Sequence, residues 1–187
     1  RTDPPTIAKS FAPAIIARGA TSTLTFNIGN PNATVALSGI AFTDVLPAGL
    51  SVGDSSTAQC GGTLTTTAAT RTVALTSGSL AASGSCSFNV TVTGTTEGQK
   101  DNVTDFISST QTGASTNYAA SSLTVNAPPV IAKSFAPAAI YTGESSTLTF
   151  AITNPNQVAT LNSIGFTDTL PAGVTATNGT TSPLCGG

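Results

Sequence analysis

Two charged side chains stand where the strand pattern calls for apolar ones. Ile7, Lys9 and Phe11 share one face of an ideal strand, and Ile40, Phe42, Asp44 and Leu46 share one face of another. Both charges return 124 residues later, as Lys133 and Asp168. A Lys in an apolar interior needs a partner, because an unpaired buried charge costs several kcal/mol. One solution is an ion pair between Lys9 and Asp44, buried or at the rim, or a local kink that turns Lys9 outward. The other is covalent. Burial lowers the pKa of the Lys, the neutral amine becomes a nucleophile, and a neighbouring acid shuttles the proton. The product is an amide crosslink from Lys9 to an Asp or Asn, with Asp44, Asn102, Asp105 and Asn126 as candidates for acceptor or acid. Its mark is a loss of about 17 or 18 Da from the mass of the unit.

Other chemistry is poorly supplied. The chain has no His, and so lacks the commonest general base and the commonest metal ligand. Lys9 and Ser10 suggest a serine–lysine dyad by type, but adjacent strand residues face opposite ways. Asp3, Asp44, Asp54, Asp101 and Asp105 lack the dense alternation of a calcium loop, which needs six to eight oxygens. The expectation is no catalytic activity, no metal and no cofactor. A net charge of −2 with six basic residues argues against nucleic acid. No apolar run is long enough to insert into a membrane.

Of the three cysteines, Cys185 aligns with Cys60 one residue out of step, so a complete unit carries two, Cys60 and Cys86. The pair suggests one disulfide per unit, with two free buried thiols as the alternative. Closing that loop stabilises the domain by roughly 3–4 kcal/mol in the chain-entropy model and implies an oxidising compartment. Asn-x-Ser/Thr sequons occur at Asn32, Asn89, Asn102 and Asn178, and outward threonines such as Thr91 and Thr93 are candidates for O-linked sugar. Only 7% of the residues are charged, against about 25% in an ordinary domain, and roughly a fifth are Thr. Such a surface needs another source of solubility, and glycan or lateral packing into a fibre would provide it.

The elements that must hold these residues read as strands. Leu24, Phe26 and Ile28 alternate with Thr23, Thr25 and Asn27, the period of a half-buried strand. Asn30-Pro31-Asn32 supplies turn chemistry, Ser38-Gly39 a bulge, and Pro47-Ala48-Gly49 a corner. Val73 and Leu75 mark a later strand. Cys86, Phe88, Val90 and Val92 share one parity, and Val103 to Ile107 and Leu123 to Val125 close the unit. About seven or eight short strands with Gly and Pro turns predict an all-β fold, an antiparallel β-sandwich of immunoglobulin-like type.

The segment Pro4 to Pro13 returns almost unchanged as Pro128 to Pro137, and about two positions in three match through Leu46-Pro47-Ala48-Gly49 and Leu170-Pro171-Ala172-Gly173. The predicted organisation is tandem repeats: residues 1–127 one complete unit, residues 128–187 the first half of a second. Half a sandwich leaves apolar faces and strand edges uncovered. The chain also starts at Arg1 and holds no Met, so the natural protein is expected to continue at both ends. Asn126-Ala127-Pro128-Pro129 is a short, stiff connector.

Lys-Ser-Phe-x-Pro, Ser-Thr-Leu-Thr-Phe, Asn-Pro-Asn, Phe-Thr-Asp-x-Leu-Pro-Ala-Gly and Cys-Gly-Gly together resemble the conserved-repeat domains of bacterial secreted and surface proteins. That resemblance implies immunoglobulin-like units in long arrays, extracellular, with a structural or adhesive part and no catalytic residues. The function expected is therefore a stalk, spacer or fibre at the cell surface. Its partners are neighbouring repeats of the same chain and identical chains in a fibre. The alternatives are an adhesin that binds glycan or protein, and the non-catalytic arm of a larger secreted enzyme.

Overall fold

A computed structural model describes residues 1–157 and 159–177. The chain divides into two compact units, Arg1–Ala127 and Pro128–Gly187. All regular structure among the described residues is β, and no helix is long and apolar enough to cross a membrane.

The first unit contains β1 (Thr6–Ala12), β2 (Ile15–Ala17), β3 (Thr21–Gly29), β4 (Leu37–Val45), β5 (Leu50–Ser51), β6 (Ser55–Gln59), β7 (Gly62–Thr67), β8 (Thr72–Leu80), β9 (Ser85–Gly94), β10 (Gly98–Val103), β11 (Ser108–Ser109), β12 (Gly113–Ala114) and β13 (Ala120–Asn126). They form three sheets, ordered β1-β3-β9-β5, β12-β11-β4-β8-β7-β6 and β10-β13-β2. Alternation decides which faces meet. Leu24, Phe26 and Ile28 on β3 and Phe88, Val90 and Val92 on β9 point inward, while the threonines between them stay at the surface or half-buried. Phe42 of β4 closes the gap between sheets, its ring centroid 5.2 Å from Phe26 and 6.4 Å from Phe88. Burying each such ring stabilises the fold by about 1.5–3 kcal/mol.

The expected bulge is present. Register slips between Ser38 and Ile40, where Gly39 has φ +60°, and slips again before Phe42. These irregularities restore Ile40, Phe42 and Asp44 to the inward face. The expected strand from Val103 to Ile107 is shorter than read. β10 stops at Val103, Thr104 makes one bridge to Asp44, and Phe106 turns out to solvent. Beyond Val103 the Thr104 and Ile107 N–H groups still donate to the Ala119 and Asn117 carbonyls, while the Asp105 N–H donates across to the Thr43 carbonyl of β4.

One pairing departs from the antiparallel rule. β2 lies parallel to β13, with Ile15 opposite Thr124 and Ala17 opposite Asn126. The bend at Pro13-Ala14 lets one continuous chain serve two sheets, β1 on β3 and then β2 on β13. Asn117 Nδ2 donates to the Pro5 carbonyl at 2.9 Å, and Arg18 N–H to that of Asn126 at 3.2 Å. β13 thus runs beside β1 and β2 from start to finish. The chain enters this unit at one end and leaves at the other, about 30 Å away at ~3.3 Å per strand residue.

In the second unit, β14 (Val130–Ala136) and β15 (Thr147–Thr153) pair in the register of β1 and β3. The Asn-Pro-Asn turn also repeats. The amide of Asn30 donates to the Val35 carbonyl and that of Asn154 to the Ala159 carbonyl, at 2.8 and 2.7 Å. Ile131, Phe135, Ile164 and Phe166 are exposed here, whereas Phe11, Ile40 and Phe42, at the equivalent positions of the last three, are buried in the first unit.

Candidate functional site

Three strands from three sheets deliver one buried polar cluster. Lys9 sits on β1 opposite Phe26, two residues from Phe11. Asp44 sits on β4 opposite Val73. Asn102 sits on β10 opposite Ser121, two residues before Thr104, the residue bridged to Asp44. Shared parity of residues 102 and 104 carries the Asn102 side chain inward to Asp44.

Lys9 Nζ lies 3.1 Å from both Asp44 carboxylate oxygens, and neither side chain exposes any surface. Asn102 Nδ2 donates to Asp44 Oδ2 at 3.0 Å. Asn102 is itself only 1% exposed, and its Oδ1 has no hydrogen-bond partner. A buried amide oxygen left unpaired costs about 1–3 kcal/mol, so this atom marks an incompletely satisfied site.

Burial and the ion pair pull in opposite directions here. Burial pulls the Lys9 amine below its usual range, against the opposing charge and hydrogen bonds of Asp44. Burial likewise pushes the Asp44 carboxyl above the usual carboxylate range, opposed by Lys9 and by the Asn102 hydrogen bond, with Asp105 adding a small push upward. Desolvation thus draws the two proton affinities toward each other, and the direct contact gives a proton a path from Lys9 to Asp44. The cluster brings an amine, a carboxyl group and a primary amide together within a few ångströms.

Of the four sequence candidates for partner of Lys9, Asp44 and Asn102 are brought to it. Asp105 is exposed, and Asn126 is half-buried with its backbone oxygen held by Arg18. The outward kink of Lys9 does not occur. In the second unit Lys133 Nζ lies 2.8 and 2.9 Å from the Asp168 oxygens, with side chains 37% and 25% exposed.

Cys60 and Cys86 are joined in a disulfide, Cα to Cα 5.6 Å, which links the β6–β7 turn to the start of β9. That turn needs φ of +51° at Cys60 and +73° at Gly61, the two left-handed centres of a tight hairpin. Asn32 does not suit a glycan. It is 8% exposed, and its amide donates to the Asp3 carbonyl and to Asn30 Oδ1. Turn-forming side chains are consumed by their turn. Asn102 is buried as described, whereas Asn89 and Thr91 face outward and Thr93 is half-buried. Asn178 and Cys185 lie outside the described residues.

Sequence reading missed one surface feature. Phe106 and Tyr118 are 55% and 54% exposed and meet edge to face, ring centroids 6.1 Å apart, beside exposed Val103. Their periodicity gave no warning, because Phe106 falls in a stretch that reads as strand. Among the described residues no group of His, Cys, Asp and Glu is arranged to hold a metal.

Known structures share this architecture. Crystal structures of the major pilin subunit BcpA of Bacillus cereus align with TM-scores of 0.52, for a point variant, and 0.50, at 10% and 11% identity. Each alignment covers 68% of this chain and 42% of the pilin chain, so the chain spans about two fifths of the subunits it matches. A collagen adhesin of S. aureus aligns at 11% identity with a TM-score of 0.44, over 80% of this chain and 51% of that one. At such identities the likeness is one of fold, a β-sandwich. The sequence matches no curated protein. A family model described as a domain of unknown function, DUF7933, matches residues 5–125 and residues 129–187, and the chain belongs to that family.

Proposed function

We propose that this chain is part of an extracellular array whose units serve as stalk, spacer or fibre. The carrying observation is the strand path of the first unit: entry at Pro5 and exit at Asn126 lie at opposite ends of one sandwich. Units joined end to end through such a path add length with every copy. About 30 Å of sandwich plus three extended connector residues gives roughly 40 Å per unit. The sequence repeats at 124 residues, and the connector holds a proline pair.

Three further features support the reading. A disulfide belongs to an oxidising compartment outside the cytosol. A surface of threonine and serine with 7% charged residues keeps its contacts insensitive to salt. The fold is shared with a protein described as a major pilin subunit. Partners on this account are neighbouring repeats and identical chains, which can meet through exposed strand edges. Electron microscopy of arrays with increasing numbers of complete units tests the proposal. Rods that lengthen by about 40 Å per unit support it; compact particles of constant length overturn it.

The adhesin reading keeps one specific observation in its favour, the exposed Phe106–Tyr118 pair. Aromatic faces of this kind stack on sugar rings and anchor protein partners. A glycan-array signal from the full chain that disappears in Phe106→Ala would move the assignment from spacer to adhesin.

A further inference from the structure

We infer that Lys9 and Asn102 become joined by an intramolecular amide bond, with Asp44 as the proton relay. Three independent features meet at this one place. The nucleophile and the relay are wholly buried and in contact at 3.1 Å. The Asn102 side chain is buried on the same Asp44 oxygen, so the Lys9 and Asn102 nitrogens lie within about 6 Å of each other. And Asn102 Oδ1 is left without a partner, on the group that the reaction would convert. A structural ion pair alone needs no third residue with an unsatisfied carbonyl. A pre-reaction site does, because that oxygen must be free to take up charge or a proton during attack.

The steps balance without any added reactant. Lys9 passes a proton to Asp44, leaving a neutral amine and a carboxylic acid. The Nζ lone pair attacks Cγ, forming the Nζ–Cγ bond. Asp44 delivers its proton to Nδ2, the Cγ–Nδ2 bond breaks, and ammonia leaves. The remaining surplus proton on Nζ returns to Asp44. One amide replaces another, and escape of ammonia makes the exchange irreversible. Burial excludes the water that would compete for the carbonyl and holds the groups at high effective concentration.

The bond would tie β1 to β10 across the sandwich and enclose residues 10–101, disulfide included. The second unit holds Lys133 and Asp168, but the residue equivalent to Asn102 falls beyond residue 187. Lys133 is therefore an internal control that should stay unmodified. The chemistry is independent of the array proposal; only its mechanical benefit rests on it.

Intact mass of the full chain, folded, aged, then reduced and denatured, tests the inference. The expected result is a mass about 17 Da below that of the sequence, one ammonia. Tryptic digestion should give Thr2–Arg18, uncleaved at Lys9, joined to Asp101–Lys133, with normal cleavage at Lys133. Asp44→Asn and Asn102→Ala, each folded by circular dichroism and cooperative melting, should show the full mass of their own sequences and cleavage at Lys9. Full mass in the folded parent chain overturns the inference. So does a loss of about 18 Da with Lys9 joined to the peptide holding Asp44, which would make the aspartate the acceptor. A loss of about 17 Da without linked peptides overturns it as well, and its persistence in Asp44→Asn would remove the relay role.

Discussion

Pulling on the first unit by its ends separates a crosslinked sandwich from an uncrosslinked one by length alone. With anchors at Thr2 and Ala127, force enters through Pro5 and leaves through Asn126. Their folded separation is about 30 Å. Without the Lys9–Asn102 bond, unfolding releases the whole stretch from Pro5 to Asn126 except the 26-residue span held between Cys60 and Cys86. At ~3.5 Å per residue the gain in contour length is about 300 Å. With the bond, tension passes from Lys9 directly into Asn102 and bypasses residues 10–101. Only the four residues before Lys9 and the segment after Asn102 extend, for a gain of about 80 Å. Single-molecule force spectroscopy resolves that difference readily, and the second unit, beyond Ala127, lies outside the loaded path. Asn102→Ala should restore the long step. A gain near 300 Å in the parent chain would refute the bypass, and a short step retained in Asn102→Ala would show that something else limits extension.

Other outcomes follow from the same geometry. Added to Asn102→Ala, in which Lys9 stays an amine, Lys9→Met leaves a buried Asp44 without its cation and should lower stability by about 3–5 kcal/mol in denaturant melts, whereas Lys133→Met, at a half-exposed pair, should lower it far less. Reduction of Cys60–Cys86 in Asn102→Ala should cost about 3.5 kcal/mol by loop entropy, read as a shift in the same melts. In Asn102→Ala, carboxyl NMR should place Asp44 above the usual range and Asp101, held down by Gln99 and Ser122, below it. The stability that protonated Asp44 contributes is then full below its unfolded value of 3.8 and is lost as pH rises through the raised folded value. Asn30→Ala strips donors from the Val35 and Ala81 carbonyls and should cost about 1–3 kcal/mol in thermal melts.

Much of this was legible wherever side chains alternate. β3 and β9 announced themselves because Leu24, Phe26, Phe88 and Val90 fall on strict parity between Thr, Ser and Asn. Asp44 was placed inward by the same count once the bulge at Ser38-Gly39 was allowed for. The repeated Asn-Pro-Asn turn was legible because its side chains act on their own backbone. β10 was not legible. Its sequence Gly-Gln-Lys-Asp-Asn-Val has no apolar alternation, since its single buried side chain is Asn102 itself. The residue that completes the cluster was therefore only one of four candidates. The β6–β7 hairpin was hidden for a related reason: its strands are mostly Ser and Thr with Leu64 the one large apolar side chain, and the turn is specified by left-handed Cys60-Gly61 rather than by Asn-Gly. Phe106 misled in the opposite direction, an aromatic that counts as core and lies at the surface, just past the end of β10.

Immunogold electron microscopy on intact cells of the source organism, with antibody raised against residues 1–127, shows where the chain resides and what it builds. The account predicts gold outside the cell envelope, strung along thin rods or fibres at intervals that are multiples of about 40 Å. Gold confined to the cell interior, reached only after permeabilisation, would contradict it.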